Sequence, residues 1–417
     1  MKRELVHLDT PSEKLFNLAK VAALISLGIP LAAGKWGSYI GFYNQGIFLQ
    51  DVFFLSACLL AFMIKPRILL DNSVLLIAIW LFIAYQFMRN PDLGIATKLR
   101  DLVPFIYLGF FQPLSYLCSG ISFRKLITLV RITTLFHLVW SSAIFFNLLK
   151  PLSLPFFFGL PIFTTRWDQT GFVIAIGFVA WSGYSKYQIK GSNVVRFGFL
   201  LLAFMQGSRA GLLAFAVALM WVFLHSTFWE RELSFMGKDT FFKFLLILGM
   251  ISLLLLPSMI KLLPENSALG RIGILQISES AKANADGTAS GRSIAQDKLL
   301  AWVELRNESL LGVGPGVEMV YESGAFINLS GSKEVRSPHS WPVGALARFG
   351  KFGFCFWTLA IYLISRFRIV DVKHPGFSWI ISVLLTAIFG VIIESPFGSL
   401  PLIFFLCCLR SYRKETL

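Results

Sequence analysis

Apolar runs bounded by charges or by Gly and Pro recur along the chain near 15–33, 47–64, 69–88, 102–120, 126–149, 169–185, 187–206, 209–228, 241–260, 342–365, 376–394 and 397–410. A run of roughly 18 to 24 residues, wound as a helix, crosses a hydrocarbon layer of about 30 Å. The pattern predicts an all-α polytopic membrane protein of about twelve transmembrane helices, with both ends on one side. Three parts follow: helices 1 to 9 within 1–260, one long outer loop over 261–341, and helices 10 to 12 within 342–417.

Composition supports this reading. Of the 417 residues, 56% are hydrophobic and 15% charged, whereas a soluble domain is about a quarter charged and has too little core to hide so much apolar surface. Soluble, disordered and fibrous classes are therefore excluded. A cleaved leader is the rival reading for the first run, but the alternation of charge in the connections works with that run retained as a span.

The net charge of +15 changes the picture less than it first suggests. With the N-terminus inside, inner segments carry most of the cations, among them Lys14, Lys20, Lys65, Arg67, Arg124, Lys125, Arg366, Arg368 and Lys373. This is the positive-inside bias of membrane proteins, so the basic balance reads as topology and not as nucleic-acid binding.

Within the outer loop, Glu279 to Arg292 reads as a polar, flexible stretch. From there to Ser309 the pattern turns amphipathic, with Ile294, Leu299, Leu300, Trp302, Val303 and Leu305 on one predicted helical face. That helix is expected to lie on the membrane or to cap a cavity. Gly312, Gly314, Pro315 and Gly316 then break it. All five cysteines fall in apolar runs, and neither a metal-ligand spacing nor a phosphate-binding loop appears, so no cofactor is expected.

Of the five histidines, His137 reads as a buried imidazole, while His7, His225 and His374 fall toward the inner side. His339 stands at the junction of the outer loop with a span, ahead of Pro342, a residue favoured in a first helical turn. On an ideal helix Gly350 and Gly353 lie below it on nearly one face, where glycines admit a close neighbour. Arg348 and Lys351 enter the same span and are expected to face an aqueous or anionic cavity.

Arg209 sits in a hairpin turn whose preceding apolar stretch, Val194 to Met205, is too short to reach the outer surface. The turn is therefore expected to be recessed, with the arginine facing water, a carboxylate or a phosphate. Arg292 is expected at the start of the amphipathic helix, where a cation is tolerated best beside a bound anion. Lys98, Arg100, Arg166 and Asp168 complete the outer charges, and Glu394 is expected to pair with an arginine. A histidine able to act as base and arginines able to grip phosphate suit an anionic lipid-linked substrate.

The order and spacing of three pieces resemble the O-antigen ligase and O-antigen polymerase family of bacterial membrane glycosyltransferases. SRAGLL at 208–213 fits an Arg-x-x-x-Leu element. SGR at 290–292 precedes a Trp-bearing helix and LLGVGPG at 310–316. HSWPVGALARFGKFG at 339–353 fits His-[Asn/Ser/Gln]-x9-Gly-x-x-Gly. The resemblance implies transfer of a glycan from undecaprenyl diphosphate to a sugar hydroxyl, without metal or nucleotide. His339 would be the catalytic base, Arg209 and Arg292 the diphosphate ligands, and Arg100 a further candidate for that task. It also implies a bacterial inner-membrane protein with cytoplasmic termini and a periplasmic active site. The acceptor is lipid A core for a ligase and a lipid-linked glycan for a polymerase; the two motifs lean toward ligase. A transporter or flippase is the reading from another class, but no paired half-repeat is visible.

Overall fold

The computed structural model describes residues 11–37, 41–42, 47–67, 73–146, 148, 156–157, 160–161, 167–182, 191–205, 208–225, 279–329, 335–390 and 392–416. The expected run at 241–260 and the charged residue Arg166 lie outside these. The regular elements among the described residues are helices apart from two very short antiparallel ladders, Gly41–Phe42 with Ile47–Phe48 and Phe156–Phe157 with Leu160–Pro161.

In chain order the helices are α1 (Pro11–Gly37), α2 (Leu49–Ile64), α3 (Ser73–Met88), α4 (Ile95–Gly109), α5 (Phe111–Ser119), α6 (Phe123–Phe145), α7 (Trp167–Trp181), α8 (Ser192–Met205), α9 (Arg209–Leu224), α10 (Glu279–Leu305), α11 (Met319–Glu322), α12 (Trp341–Ser365), α13 (Pro375–Ile388) and α14 (Pro396–Thr416). Three of them, α1, α6 and α12, are long and apolar enough to cross a membrane, and α4 with α5 makes a fourth if that pair, bent by 47°, is one span. The other helices on apolar runs are shorter, between 10 and 17 residues in their apolar part. These long apolar helices give the molecule its membrane character.

The main core is a bundle in which α1 lies along α2 and α6, and α7 is enclosed by α6, α8, α9 and α13. α7 crosses α9 at close range. A Cβ on Gly171 would overlap the backbone of Gly211, so glycine on both sides sets the helix separation. Leu59, Ile77, Leu81, Val139 and Leu359 are among the large apolar side chains left outward-facing on the bundle, as a lipid-facing surface requires.

A second, smaller core lies under α10. Ala295, Leu299 and Val303, spaced four apart on one face, pack with Val313, Met319, Val320 and Ala325 against Ala347 of α12. The amphipathic reading therefore holds for Leu299, Val303 and the half-buried Trp302, but Ile294, Leu300 and Leu305 are exposed. The helix also begins earlier than its pattern suggests. Residues 279–292, expected to be flexible, are its first half, so Arg292 lies in mid-helix and the expected helix-start setting is lost. No apolar face marks the segment, and Asn284, Asp286, Gly287 and Gly291 are poor helix formers that offset Ala281, Ala283, Ala285 and Ala289, so neither periodicity nor propensity signals this part of the helix.

Candidate active site

The N-terminal part of α12 is a broken helix with a loop inserted in the break. At Gly350 the backbone reaches φ 69° and ψ −178°, a conformation that essentially only glycine adopts. The bonds that would close the turn, from Lys351 N–H to Ala347 and from Phe352 N–H to Arg348, give way to others. Lys351 and Phe352 donate to the carbonyls of Ser309 and Leu310, each at 3.0 Å, while the freed carbonyls of Ala347 and Arg348 accept from Val313 and Gly314, each at 2.9 Å. Every backbone group released by the break finds a partner, which removes the cost of leaving it unpaired.

The inserted loop is held from its other side by the two residues that follow α3. Arg89 donates through Nη1 to Leu311 O and through Nη2 to Gly312 O, both at 2.7 Å, and Asn90 Nδ2 donates to Val313 O at 3.0 Å. Gly314 and Gly316, at φ 91° and 90°, turn the chain so that the Gly316 N–H donates to Asp101 Oδ2 at 2.9 Å.

Asp101 belongs to a buried charge network. Arg348, 1% exposed, places Nε 3.2 Å from Asp101 Oδ2 and Nη1 3.5 Å from Glu394 Oε2. Neither N–H points squarely along its contact, so these are ion pairs more than aligned hydrogen bonds. The third nitrogen, Nη2, donates to Arg336 O at 3.4 Å, and Ser337 Oγ donates to Glu394 Oε1 at 3.0 Å. The Glu394 carboxylate reaches α12 at Gly344, where a Cβ would collide with it. Arg348 and Glu394 thus tie down Arg336 and Ser337, the residues that lead into His339.

His339 has φ 57°, a left-handed conformation that costs a residue with a Cβ about 1–2 kcal/mol. It is half-buried and directly precedes Ser340, the N-cap of α12, whose carbonyl accepts from Gly344 N–H at 2.9 Å. The free N–H groups of that first turn favour a nearby anion. From α10, Gln296 Nε2 donates to Pro338 O at 3.3 Å. Arg292, half-buried, lies one turn earlier on the same helical face as Gln296.

The expected site residues are thus partly gathered. His339 lies in the segment held by Arg348, and Arg292 lies one turn from Gln296, which bonds that segment; Arg100 is close enough to Arg336 to repel it, with Nε 3.9 Å from Asp101 Oδ1 and a side chain 39% exposed. Arg209 is the first residue of α9, capped by Ser208 Oγ, which accepts from Gly211 N–H at 3.0 Å; its side chain lies outside the described residues. Gly353 lies against Phe82 of α3, as a packing glycine does. Gly350 departs from expectation, since the break at this residue invalidates ideal-helix arithmetic and it admits the 309–314 loop instead of a neighbouring helix. Arg348 is buried against two acids, while Lys351 is exposed. Glu394 pairs with an arginine as expected. Lys98 is buried, donating to Phe87 O at 3.2 Å. Sequence reasoning missed Asp101 and Arg336; the available signals were an acid adjoining an apolar run and an arginine three residues before the histidine.

The stretch from α8 to the middle of α12 holds the capped turn at Ser208, α10, the inserted loop and the His339 segment. Residues 194–358 match the O-antigen ligase family model. No curated protein matches the chain. The O-antigen ligase match covers every motif that carried the resemblance and, with the apolar helices, supports a membrane-bound glycosyltransferase of the O-antigen ligase and polymerase kind.

Proposed function

We propose that the chain transfers a glycan from undecaprenyl diphosphate to an acceptor sugar hydroxyl on the periplasmic face of the bacterial inner membrane, as an O-antigen ligase whose acceptor is lipid A core. The observation that carries this reading is His339, held in a strained conformation at a helix N-terminus among arginines, the kind of placement that recurs at functional sites. The Arg-x-x-x-Leu and His-Ser-x9-Gly-x-x-Gly elements favour ligase over polymerase.

In this mechanism His339 takes the proton of the acceptor hydroxyl as its oxygen bonds to the anomeric carbon of the donor. The bond from that carbon to the diphosphate oxygen breaks, and undecaprenyl diphosphate leaves with the electron pair. Arg209, Arg292 and Arg100 hold the diphosphate and stabilise the charge that develops on it. In this reading the chain crosses the membrane about twelve times, with cytoplasmic termini and an outer loop over 261–341, and these groups face the side on which the donor would arrive already attached to lipid.

Purified protein in proteoliposomes, given undecaprenyl-diphosphate glycan and core acceptor, should move glycan to the acceptor without ATP. His339→Ala should abolish transfer while the protein remains folded; full activity in that variant would overturn the base assignment. Cells lacking the protein should accumulate long polymer on undecaprenyl diphosphate. Accumulation of single repeats would identify a polymerase instead.

A further inference from the structure

Three arginines converge around Asp101, and their circumstances differ. Arg348 is neutralised by two carboxylates. Those carboxylates have further donors of their own, the Gly316 N–H on Asp101 and the Ser337 hydroxyl on Glu394. Arg336 receives no ion pair from either acid among the described residues. Its Nε is buried without a hydrogen-bond partner, although Arg348 fixes its carbonyl and Glu394 fixes its neighbour Ser337. Burial, followed by the positive charges of Arg100 and Arg348, lowers its proton affinity, offset in part by Asp101 and Glu318. A half-buried guanidinium with an unsatisfied N–H and cationic neighbours is stabilised by an anion, and its planar fork suits phosphate oxygens.

We infer that Arg336 and Arg100 form a phosphate-binding subsite beside His339, with Arg348 as the buried post that positions it. This rests on the functional reading above and adds a residue to its substrate grip. Two sources share the chemistry: the diphosphate of the lipid donor and the phosphate groups of a phosphorylated glycolipid acceptor.

Binding of undecaprenyl diphosphate, with undecaprenol as the uncharged control, is measured on the full chain in nanodiscs. Wild-type protein should prefer the diphosphate, and Arg336→Gln should weaken its binding roughly tenfold or more. Arg336→Lys, which keeps the charge without the fork, should fall between them and also covers the case in which the Gln variant fails to fold. Arg306→Gln, at an exposed arginine paired with Glu308 and Glu322, should change nothing. In transfer assays a raised donor KM assigns the subsite to the donor diphosphate; a raised acceptor KM seen only with phosphorylated acceptors assigns it to the acceptor, with diphosphate binding then unchanged. If diphosphate affinity and both KM values stay within about twofold of wild type in Arg336→Gln and Arg100→Gln, the subsite is overturned, as it is if wild-type protein binds neither phosphorylated lipid. Wild-type protein that binds the diphosphate yet transfers to no acceptor instead refutes the functional reading, and the binding measurements still judge the subsite.

Discussion

Gly312 and Gly350 meet backbone to backbone: a Cβ on Gly350 would overlap Leu310 O and lie 2.5 Å from Gly312 N, and one on Gly312 would overlap the carbonyl group of Arg348. Both also have positive φ, 72° and 69°. Loop and helix are interlocked here through main-chain atoms, with no room for a side chain on either partner.

Alanine at either position should therefore lower stability by about 2 kcal/mol or more, through strain and overlap together. Gly324→Ala is the matched comparison. It shares a positive φ of 70° but has open space around it, so its cost should stay near 1 kcal/mol. Thermal unfolding in detergent separates the two cases; equal losses would show that the close contact contributes nothing.

Removing one partner of the Arg348 network leaves a buried charge uncompensated. Arg348→Ala should cost about 3–5 kcal/mol, whereas Lys351→Gln, three residues on and exposed, should stay within about 0.5 kcal/mol of wild type. Unfolding temperatures of the pair test this.

The Gly171 and Gly211 crossing predicts a third outcome. Alanine at Gly171 must push α7 from α9, costing roughly 1–3 kcal/mol, and should also reduce transfer, because Gly211 lies two residues from Arg209. Thermal stability and transfer rate measured on one preparation check both parts.

His339→Gly should lose transfer while keeping its unfolding free energy within about 1 kcal/mol of wild type, since glycine relieves the left-handed strain as it deletes the ring. A loss of several kcal/mol would make His339 a structural residue first.

At the N-terminus of α13, burial lowers the pKa of His374 to about 4, with Asp371 opposing and His225 adding to the fall. The imidazole is neutral in the fold at pH 7, and its Nδ1 accepts from Gly376 N–H. Its contribution is present in full above the unfolded value of about 6.5 and declines as pH falls toward 4. His374→Asn keeps a capping acceptor without a titrating ring, so the fall in unfolding temperature between pH 7 and pH 4.5 should be smaller in that variant.

The helices were legible because apolar runs have a length and a boundary, and the pairing of Glu394 with an arginine was legible because a lone acid near the membrane needs a cation. The break at Gly350 was not, since a repeat of glycines on one face looks the same whether they admit another helix or a loop. The Asp101 and Arg348 pair joins residues far apart in sequence, a relation that no local pattern encodes. The helix over residues 279–292 was not legible because a segment with Asn284, Asp286, Gly287 and Gly291 and no apolar stripe reads as a polar linker.

Arg89 and Asn90 grip the inserted loop by its carbonyls, which every residue type supplies. Leu310 and Leu311, whose side chains point outward, are therefore free to change in evolution without loosening the clasp, while the glycines around them are not. The architecture of this corner can persist through sequence drift, with its identity carried by a few small residues and a pattern of main-chain bonds.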